Sequence, residues 1–580
     1  MLQTVKDVLR DLYWYKYTYI LRAAILQFLL TTAGAYLLSL LFRVILINSG
    51  LPGLTADNIF TFFTNPLTLI LMPVYLLMLA FLIYVEFSVL AEIIAVKGGK
   101  FRQVFVGIKE KARSFFRIVS GWNFLAFVLY LLLSLPILSF FYSSFLLENL
   151  YIPKFISGEL FKTSGGTYLY YAVNTLFIYL YFRFIYTLPL TVTHNHQSFI
   201  QNMKTSWQLT KISHIKNLGG LVLVNLALTG SLILLSLLGI GMAAMLDRSQ
   251  GNLVIESLFL TFVWGFLFTG SLFMKVGSLD YLLNSLNPGM TSNARPPLKR
   301  QSLFLFLLII AIGCLVYVYN AGQIADADPN KIQILAHRGY VSEGVENSLE
   351  ALRAAAKAGA DYVEMDIIMT KDKEFIVSHD DNLKRLTGEN LTISESKAAD
   401  LVGLPIKQNG FSSHLVTFST YVEEAKKLGV KLLVELKPSG KEPADYEEIF
   451  LARMKELGVS QDYKVMSMSL STMERIESLN PAVETGYVIP LQLGQFTTHA
   501  VDFYALEEFS YREASARAAK KQGKEIYVWT INSENEIDKY LQSGVTGIIT
   551  DYPELVKEEK KMIATEDSYV TYFLRLLNLS

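Results

Sequence analysis

Seven apolar runs, at roughly 19–47, 66–90, 120–146, 167–192, 218–245, 254–282 and 303–319, fill the first 320 residues of a 580-residue chain. A helix needs about 20 mostly apolar residues to cross ~30 Å of hydrocarbon, so each run reads as a membrane span. Lys6, Arg10 and Lys16 precede the first run, as in a secretory leader. Its length, and the spans behind it, argue for a retained helix. Apolar residues make up 52% of the chain and charged residues 18%, with the apolar excess confined to this first part. Formal net charge is zero, which gives no bulk attraction to nucleic acid. The single cysteine, Cys314, excludes a disulfide framework and a thiolate-rich metal site within the chain.

Loop charge sets the expected orientation. One side carries Lys97, Lys100, Arg102, Lys109, Lys111, Arg113 and Arg117, then Lys204, Lys211 and Lys216, then Arg295, Lys299 and Arg300. The other has no basic residue in 48–65, Lys154 and Lys162 in 147–166, and Arg248 in 246–252. The expectation is a multi-pass protein of the cell membrane with a cytoplasmic amino terminus and everything after Tyr319 outside. Glu86 and Arg183 lie deep enough to pair across helices, whereas Arg43, Glu92 and Lys275 lie near span ends and are expected to snorkel. His194 and His196, beside a cytoplasmic loop, read as an interfacial pair with no metal-ligand company.

Residues 320–331 form a polar connector that reaches at most ~40 Å when extended. From Ile332 apolar strands alternate with amphipathic helices. Strands are expected at 332–336, 361–368, 374–378, 431–436, 463–468, 484–489, 502–505, 525–529 and 547–550. Helices are expected at 346–358, 418–428, 443–457, 471–479, 510–522 and 534–542. The pattern predicts an α-helical polytopic membrane domain over 1–319 followed by an α/β domain over 332–556, an eight-stranded (β/α) barrel. One of the two strands near 361–378 is then a hairpin partner outside the barrel. The tail, 557–580, is charged, then amphipathic, too short to span, and expected to pack on the barrel.

Polar residues gather where those strands end: His337, Glu364, Asp366, His379, Glu435, Lys437, Trp529 and Asp551, with Arg338, Glu346 and Asn347 close by in sequence. Barrel enzymes carry their sites at that end. Residues i and i+2 share a strand face, so Glu364 aligns with Asp366 and Glu435 with Lys437. Three carboxylates at one rim repel unless a cation joins them, and hard oxygen ligands suit Mg²⁺ or Ca²⁺ better than zinc. Arg338 offers a fork to phosphate oxygens and Lys437 a point charge. Two histidines can serve as base and acid. The set reads as metal-assisted cleavage of a phosphodiester. Singly, each residue has a plainer reading: Glu346 and Asn347 as a helix start, Trp529 as core.

The stretches Ala336-His337-Arg338-Gly339, Glu346-Asn347, Glu364-Met365-Asp366, Val377-Ser378-His379-Asp380, Val434-Glu435-Leu436-Lys437, Val528-Trp529-Thr530-Ile531-Asn532 and Gly547-Ile548-Ile549-Thr550-Asp551-Tyr552-Pro553 make residues 333–555 resemble the glycerophosphodiester phosphodiesterase family. The part before them resembles the membrane domain found ahead of this barrel in some bacterial members. The resemblance implies that His337 and His379 are the acid–base pair and that Glu364, Asp366 and Glu435 bind a divalent metal: Mg²⁺, Ca²⁺ or Mn²⁺. It implies that Arg338 and Lys437 contact phosphate and that Trp529 lines the substrate site. It further implies hydrolysis of glycerophosphodiesters to glycerol 3-phosphate and an alcohol, by attack of the free glycerol hydroxyl and then of water. Val345 and Ser348 replace the family's usual proline and threonine, and Val416-Thr417-Phe418 departs from its loop pattern. The modest insertion over 380–430 suggests a small lid and an open site. Tethering beside the bilayer suits lipid-linked or wall-linked glycerol phosphate, such as lysophospholipids or teichoic-acid chains. Rival readings are a lipid transporter or sensor with an accessory barrel, and a phospholipase for other headgroups. Oligomeric state is left open.

Overall fold

The computed structural model describes residues 1–49, 59–97, 102–104, 106–107, 111, 115–116, 119–134, 144–147, 165–193, 197–247, 252–287, 299–326, 329–492 and 499–565. Among these, five helices are long and apolar enough to cross a membrane: Leu2–Asn48, Pro66–Val96, Gly166–Thr193, Lys216–Leu246 and Leu253–Leu286. Local chemistry marks two of their starts. Asn65 caps the second helix by accepting from Leu67 N at 2.9 Å, with Pro66 at its first position. Ser198 and Gln201 form a reciprocal capping box ahead of the helix Phe199–Leu246.

Two of the seven expected spans are only partly described. The run at 120–146 contains a described helix, Trp122–Ser134, of 13 residues. Residues 135–143 of that run lie outside the described residues. The last run, 303–319, lies within the 28-residue helix Lys299–Asp326. That helix continues past 320, so most of the polar connector is helical. His194 and His196 lie outside the described residues, as do residues 566–580 of the tail.

Lys275 does not snorkel. It is buried and pairs with Glu86 at 3.5 Å, its ammonium 3.1 Å from the centre of the Phe145 ring. Glu86 also accepts from Ser144 Oγ at 2.5 Å and Phe145 N at 3.0 Å. Glu92 pairs with Lys111 at 2.8 Å, and Asp11 with Lys97 at 2.7 Å. Arg183 donates to the Trp207 carbonyl at 2.8 Å and stacks on its ring.

The second half is a closed barrel. Its strands are β1 (Gln333–Ala336), β2 (Tyr362–Met369), β3 (Phe375–Val377), β4 (Pro405–Gln408), β5 (Phe411–His414), β6 (Lys431–Leu436), β7 (Lys464–Ser467), β8 (Thr485–Ile489), β9 (Phe503–Glu507), β10 (Glu525–Trp529) and β11 (Gly547–Thr550). Eight run parallel in the order β1-β11-β10-β9-β8-β7-β6-β2, and β1 pairs with β2 to close the ring. β3 is the expected hairpin partner, antiparallel to β2 at Ile367–Met369. The β4–β5 hairpin is absent from the sequence reading, although its turn, Asn409-Gly410, has both residues at positive φ, a strong hairpin signal.

Alternation divides each strand. Ile334, Val363, Met365, Val434 and Ile548 face the helices. Leu335, Tyr362, Leu433, Met466, Val488, Phe503, Ala505, Tyr527 and Ile549 form a separate cluster in the lumen. A Cβ on Gly486 would stand 2.0 Å from the Phe503 ring, so that glycine makes room for the lumen's aromatic layer. Asp326 ends the membrane helix, and β1 begins at Gln333, at the amino-terminal end of the barrel strands. The helix Pro553–Thr565 returns from the opposite end and packs along β1, with Lys560 bonded to the Ile332 carbonyl.

Candidate active site

Each lumen row, followed upward, ends in a polar side chain. Leu335 leads to His337, Tyr362 to Glu364 and Asp366, Leu433 to Glu435 and Lys437, Tyr527 to Trp529, and Ile549 to Asp551. Two left-handed residues complete the turn after β1: Arg338 at φ 53° and Asn347 at φ 59°. Arg338 is buried, and its conformation turns its backbone N–H to Glu364 Oε2 at 2.7 Å. Its guanidinium meets Glu346 Oε1 at 3.3 Å and Asp366 Oδ2 at 3.5 Å. Asn347 brackets Asp366, donating to Oδ2 at 2.9 Å and accepting from its N–H at 3.1 Å. The helix after them starts at Leu349, capped by Ser348, so Glu346 and Asn347 stand ahead of it and face the rim. Thr417 caps the helix Phe418–Leu428 in the same way.

The two histidines are built alike. His337 Nδ1 lies 2.7 Å from Asp551 Oδ1, and His379 Nδ1 lies 2.7 Å from Asp380 Oδ1. An ionised carboxylate at Nδ1 makes that nitrogen the donor and leaves Nε2 for proton exchange. Asp551 is held by Asn532, which donates to Oδ2 at 2.5 Å and accepts the Asp551 N–H at 2.9 Å. Burial pushes the Asp551 carboxyl up, but His337 and Asn532 outweigh it and keep the group below the usual range. Burial dominates at His379 and lowers its basicity, against the pull of Asp366 and Asp380.

Glu364, Asp366 and Glu435 are buried together, with one oxygen from each within 4.8 Å of the others. Burial, then Asp366 and Glu435, push the Glu364 carboxyl well above its ordinary range. For Asp366 burial acts the same way, but Lys437, His379 and Arg338 hold it low. Lys437 bonds Glu435 at 3.2 Å and lies 3.5 Å from Asp366, and its pKa is pushed up to about 12, the carboxylates outweighing burial. A carboxyl driven toward its neutral form between two others marks a set short of positive charge. Three convergent carboxylate oxygens are what a hard divalent cation requires, so the residues fit one. Trp529 stands over the lumen cluster and donates Nε1–H to the Ala505 carbonyl at 3.0 Å.

Four participants were not singled out from the sequence. Asp380 lies inside a quoted motif but orients His379. Arg385 and Gln408 come from the 380–415 insertion and bind Glu346. Glu507, buried at the end of β9, continues the lumen row of Phe503 and Ala505. Strand alternation could have found Glu507, and the Asn-Gly turn could have placed Gln408. Arg385 carries no periodic signal.

Residues 337–555 match the glycerophosphoryl diester phosphodiesterase family, and residues 5–321, more than half of the chain, match the membrane domain of glycerophosphoryl diester phosphodiesterase. The chain belongs to this family. It is a glycerophosphodiester-hydrolysing phosphodiesterase with a multi-pass membrane domain. It is 24% identical over 302 residues to a glycerophosphodiester phosphodiesterase of Bacillus subtilis, covering 45% of this chain and 99% of that protein. It is 25% identical over 271 residues to lysophospholipase D GDPD1 of Homo sapiens, covering 39% and 84%. Among solved structures it resembles an Oleispira antarctica phosphodiesterase in complex with the product sn-glycerol-3-phosphate, at 22% identity and a TM-score of 0.35, over 41% of this chain and 99% of that one.

Proposed function

We propose that this member of the family cleaves lipid- or wall-derived glycerophosphodiesters to glycerol 3-phosphate and an alcohol, with His337 and His379 as its acid–base pair. The supporting observation is that each histidine has its Nδ1 fixed by its own carboxylate at 2.7 Å, at the rim that carries the acidic triad. Glu364, Asp366 and Glu435 would hold the divalent cation, Mg²⁺, Ca²⁺ or Mn²⁺, whose chemistry there would be to neutralise charge on the phosphate oxygens. Arg338 and Lys437 take the remaining oxygens, and Trp529 borders the glycerol or alcohol. One histidine accepts the proton of the attacking glycerol hydroxyl at Nε2, and the other gives a proton to the departing alcohol oxygen. The roles reverse when water opens the cyclic phosphate. Which histidine begins is fixed by which side of the phosphorus the alcohol occupies.

The human relative's being a lysophospholipase D supports lysolipids as substrates. The basic loops support a cytoplasmic amino terminus, and seven crossings would put residues 332–556 outside the plasma membrane as a separate catalytic domain. The purified full-length protein, with and without divalent cations, tests the reaction by release of glycerol 3-phosphate from glycerophosphocholine, of lysophosphatidate from lysophosphatidylcholine vesicles, and of glycerol phosphate from polyglycerol phosphate. Release from none of the three overturns it. An impermeant maleimide on a Cys314→Ser, Ser412→Cys protein tests the orientation. Labelling of intact cells is expected, and labelling only after lysis reverses the assignment.

A further inference from the structure

Arg385 touches neither histidine, yet it joins the surroundings of both His379 and Arg338. It sits in the short helix Lys384–Thr387 of the insertion, three-quarters buried. Its Nε donates to Asp380 Oδ2 at 2.7 Å, while the other Asp380 oxygen faces His379 Nδ1. Its two terminal nitrogens grip Glu346, Nη1 to Oε2 at 2.9 Å and Nη2 to Oε1 at 2.5 Å. Glu346 Oε1 is also the oxygen that meets Arg338 Nη1. Gln408, at the end of β4, closes the far side of Glu346, donating to Oε2 at 2.6 Å and accepting its backbone N–H at 2.9 Å. The chain of contacts His379–Asp380–Arg385–Glu346–Arg338 is unbroken.

The planar fork explains why arginine stands there. One guanidinium serves two carboxylates in different directions through three N–H vectors, which an ammonium on a flexible stem cannot reproduce. With Arg385 gone, Asp380 and Glu346 would face each other across a poorly solvated gap, and both would turn away. Asp380 would then release the His379 ring, and Glu346 would release the Arg338 fork.

We propose that Arg385 is a positioning residue that locks the acid–base group His379 and the phosphate group Arg338 into one unit, tying the insertion to the reaction. The proposal rests on the rim being the glycerophosphodiester site. It has two arms that separate experimentally. The Asp380 arm governs turnover, and the Glu346–Gln408 arm governs phosphate binding.

The test uses the full-length protein, with kcat read on glycerophosphocholine and Kd read by calorimetry on glycerol 3-phosphate. Arg385→Ala should lower kcat about 100-fold, as misplaced reacting groups do. It should weaken glycerol 3-phosphate about tenfold, the worth of one charged hydrogen bond. Asp380→Asn should lower kcat and leave Kd within twofold, and Gln408→Ala should raise Kd and leave kcat within about threefold. The Arg385→Ala, Asp380→Asn double variant should lose no more turnover than Arg385→Ala alone, because the two act as a unit. Methylguanidinium should restore at least tenfold of the turnover lost in Arg385→Ala and none in His379→Ala. Unchanged kcat and Kd in Arg385→Ala, or additive losses in the double variant, overturn the proposal. If Arg385→Ala does not fold, the opposite splits of Asp380→Asn and Gln408→Ala decide alone. A wild-type protein that binds glycerol 3-phosphate but hydrolyses no glycerophosphodiester removes the reaction, while the Kd arm still decides the positioning.

Discussion

The two halves of the molecule bury charge in opposite ways. In the helical half, Asp11, Glu86 and Glu92 each face one lysine: Lys97, Lys275 and Lys111. Each of these acids has a lysine of the chain within 3.5 Å. At the barrel rim, Glu364, Asp366 and Glu435 crowd together, Lys437 and Arg338 are shared among them, and Glu364 is driven toward its neutral form by burial and by the two acids beside it. A charge whose partner is built into the chain is architecture. A charge whose partner has to arrive from solution is a binding site.

The strongest way to break that distinction is to remove the two rim histidines. His337→Ala or His379→Ala should lower kcat on glycerophosphocholine by about 10³-fold, within the range of a lost general acid or base. Full turnover by either variant would show that the rim is not the reacting centre.

Next in size is a pair of isosteric changes with opposite outcomes. Glu86→Gln leaves Lys275 buried without its counter-charge and should cost about 3 kcal/mol. Glu364→Gln removes a carboxylate from a crowded buried set, so the metal-free protein should unfold at a higher temperature than wild type while losing cation-dependent activity. Thermal unfolding with and without EDTA reads both. A lower unfolding temperature for metal-free Glu364→Gln would erase the contrast.

A smaller effect follows pH. Burial raises the Glu346 carboxyl, but Arg385 and Arg338 outweigh it and bring it down to about 2, and Asp380 is held low in the same manner by His379 and Arg385. A carboxylate with a depressed folded pKa stabilises fully above its unfolded value and loses that contribution as pH falls through the folded one. The barrel should therefore lose stability between about pH 4.5 and pH 2, and Arg385→Ala should flatten that slope. An unchanged slope would mean that Arg385 does not set these acidities. The smallest effect concerns the joint between the halves. Four Gly-Ser residues inserted after Ala327 should leave kcat on soluble glycerophosphocholine within about twofold, because no site residue comes from the connector. A larger loss would make the halves one catalytic unit.

Much of this was legible in the sequence because barrel strands obey a period of two and stop at their polar ends. All nine expected strands are present, with β3 standing outside the ring. The same alternation brought His337, Glu364, Asp366, Glu435, Lys437, Trp529 and Asp551 to one end. Arg385 and Gln408 escaped because they reach the rim from an insertion of short helices and a four-residue hairpin, where no periodicity links position to facing. The helical half was less legible for a related reason. Hydropathy measures how apolar a run is, not what faces a side chain within it, and so it read Lys275 as a boundary residue where the fold pairs it with Glu86.

The membrane helix enters the barrel at the foot of β1, while His337 and its neighbours stand at the mouth. From Gln333 at the foot of β1 to His337 at its mouth is four residues, a rise of about 13 Å. For a substrate rooted in a bilayer at the foot of the barrel, the scissile bond would have to reach the opposite end of the strands to be cut. Height above the lipid would then act as a selection rule in its own right: a long polyglycerol phosphate chain or a freely diffusing diester satisfies it unaided, and a short headgroup does so only if the barrel leans over or the lipid is drawn out.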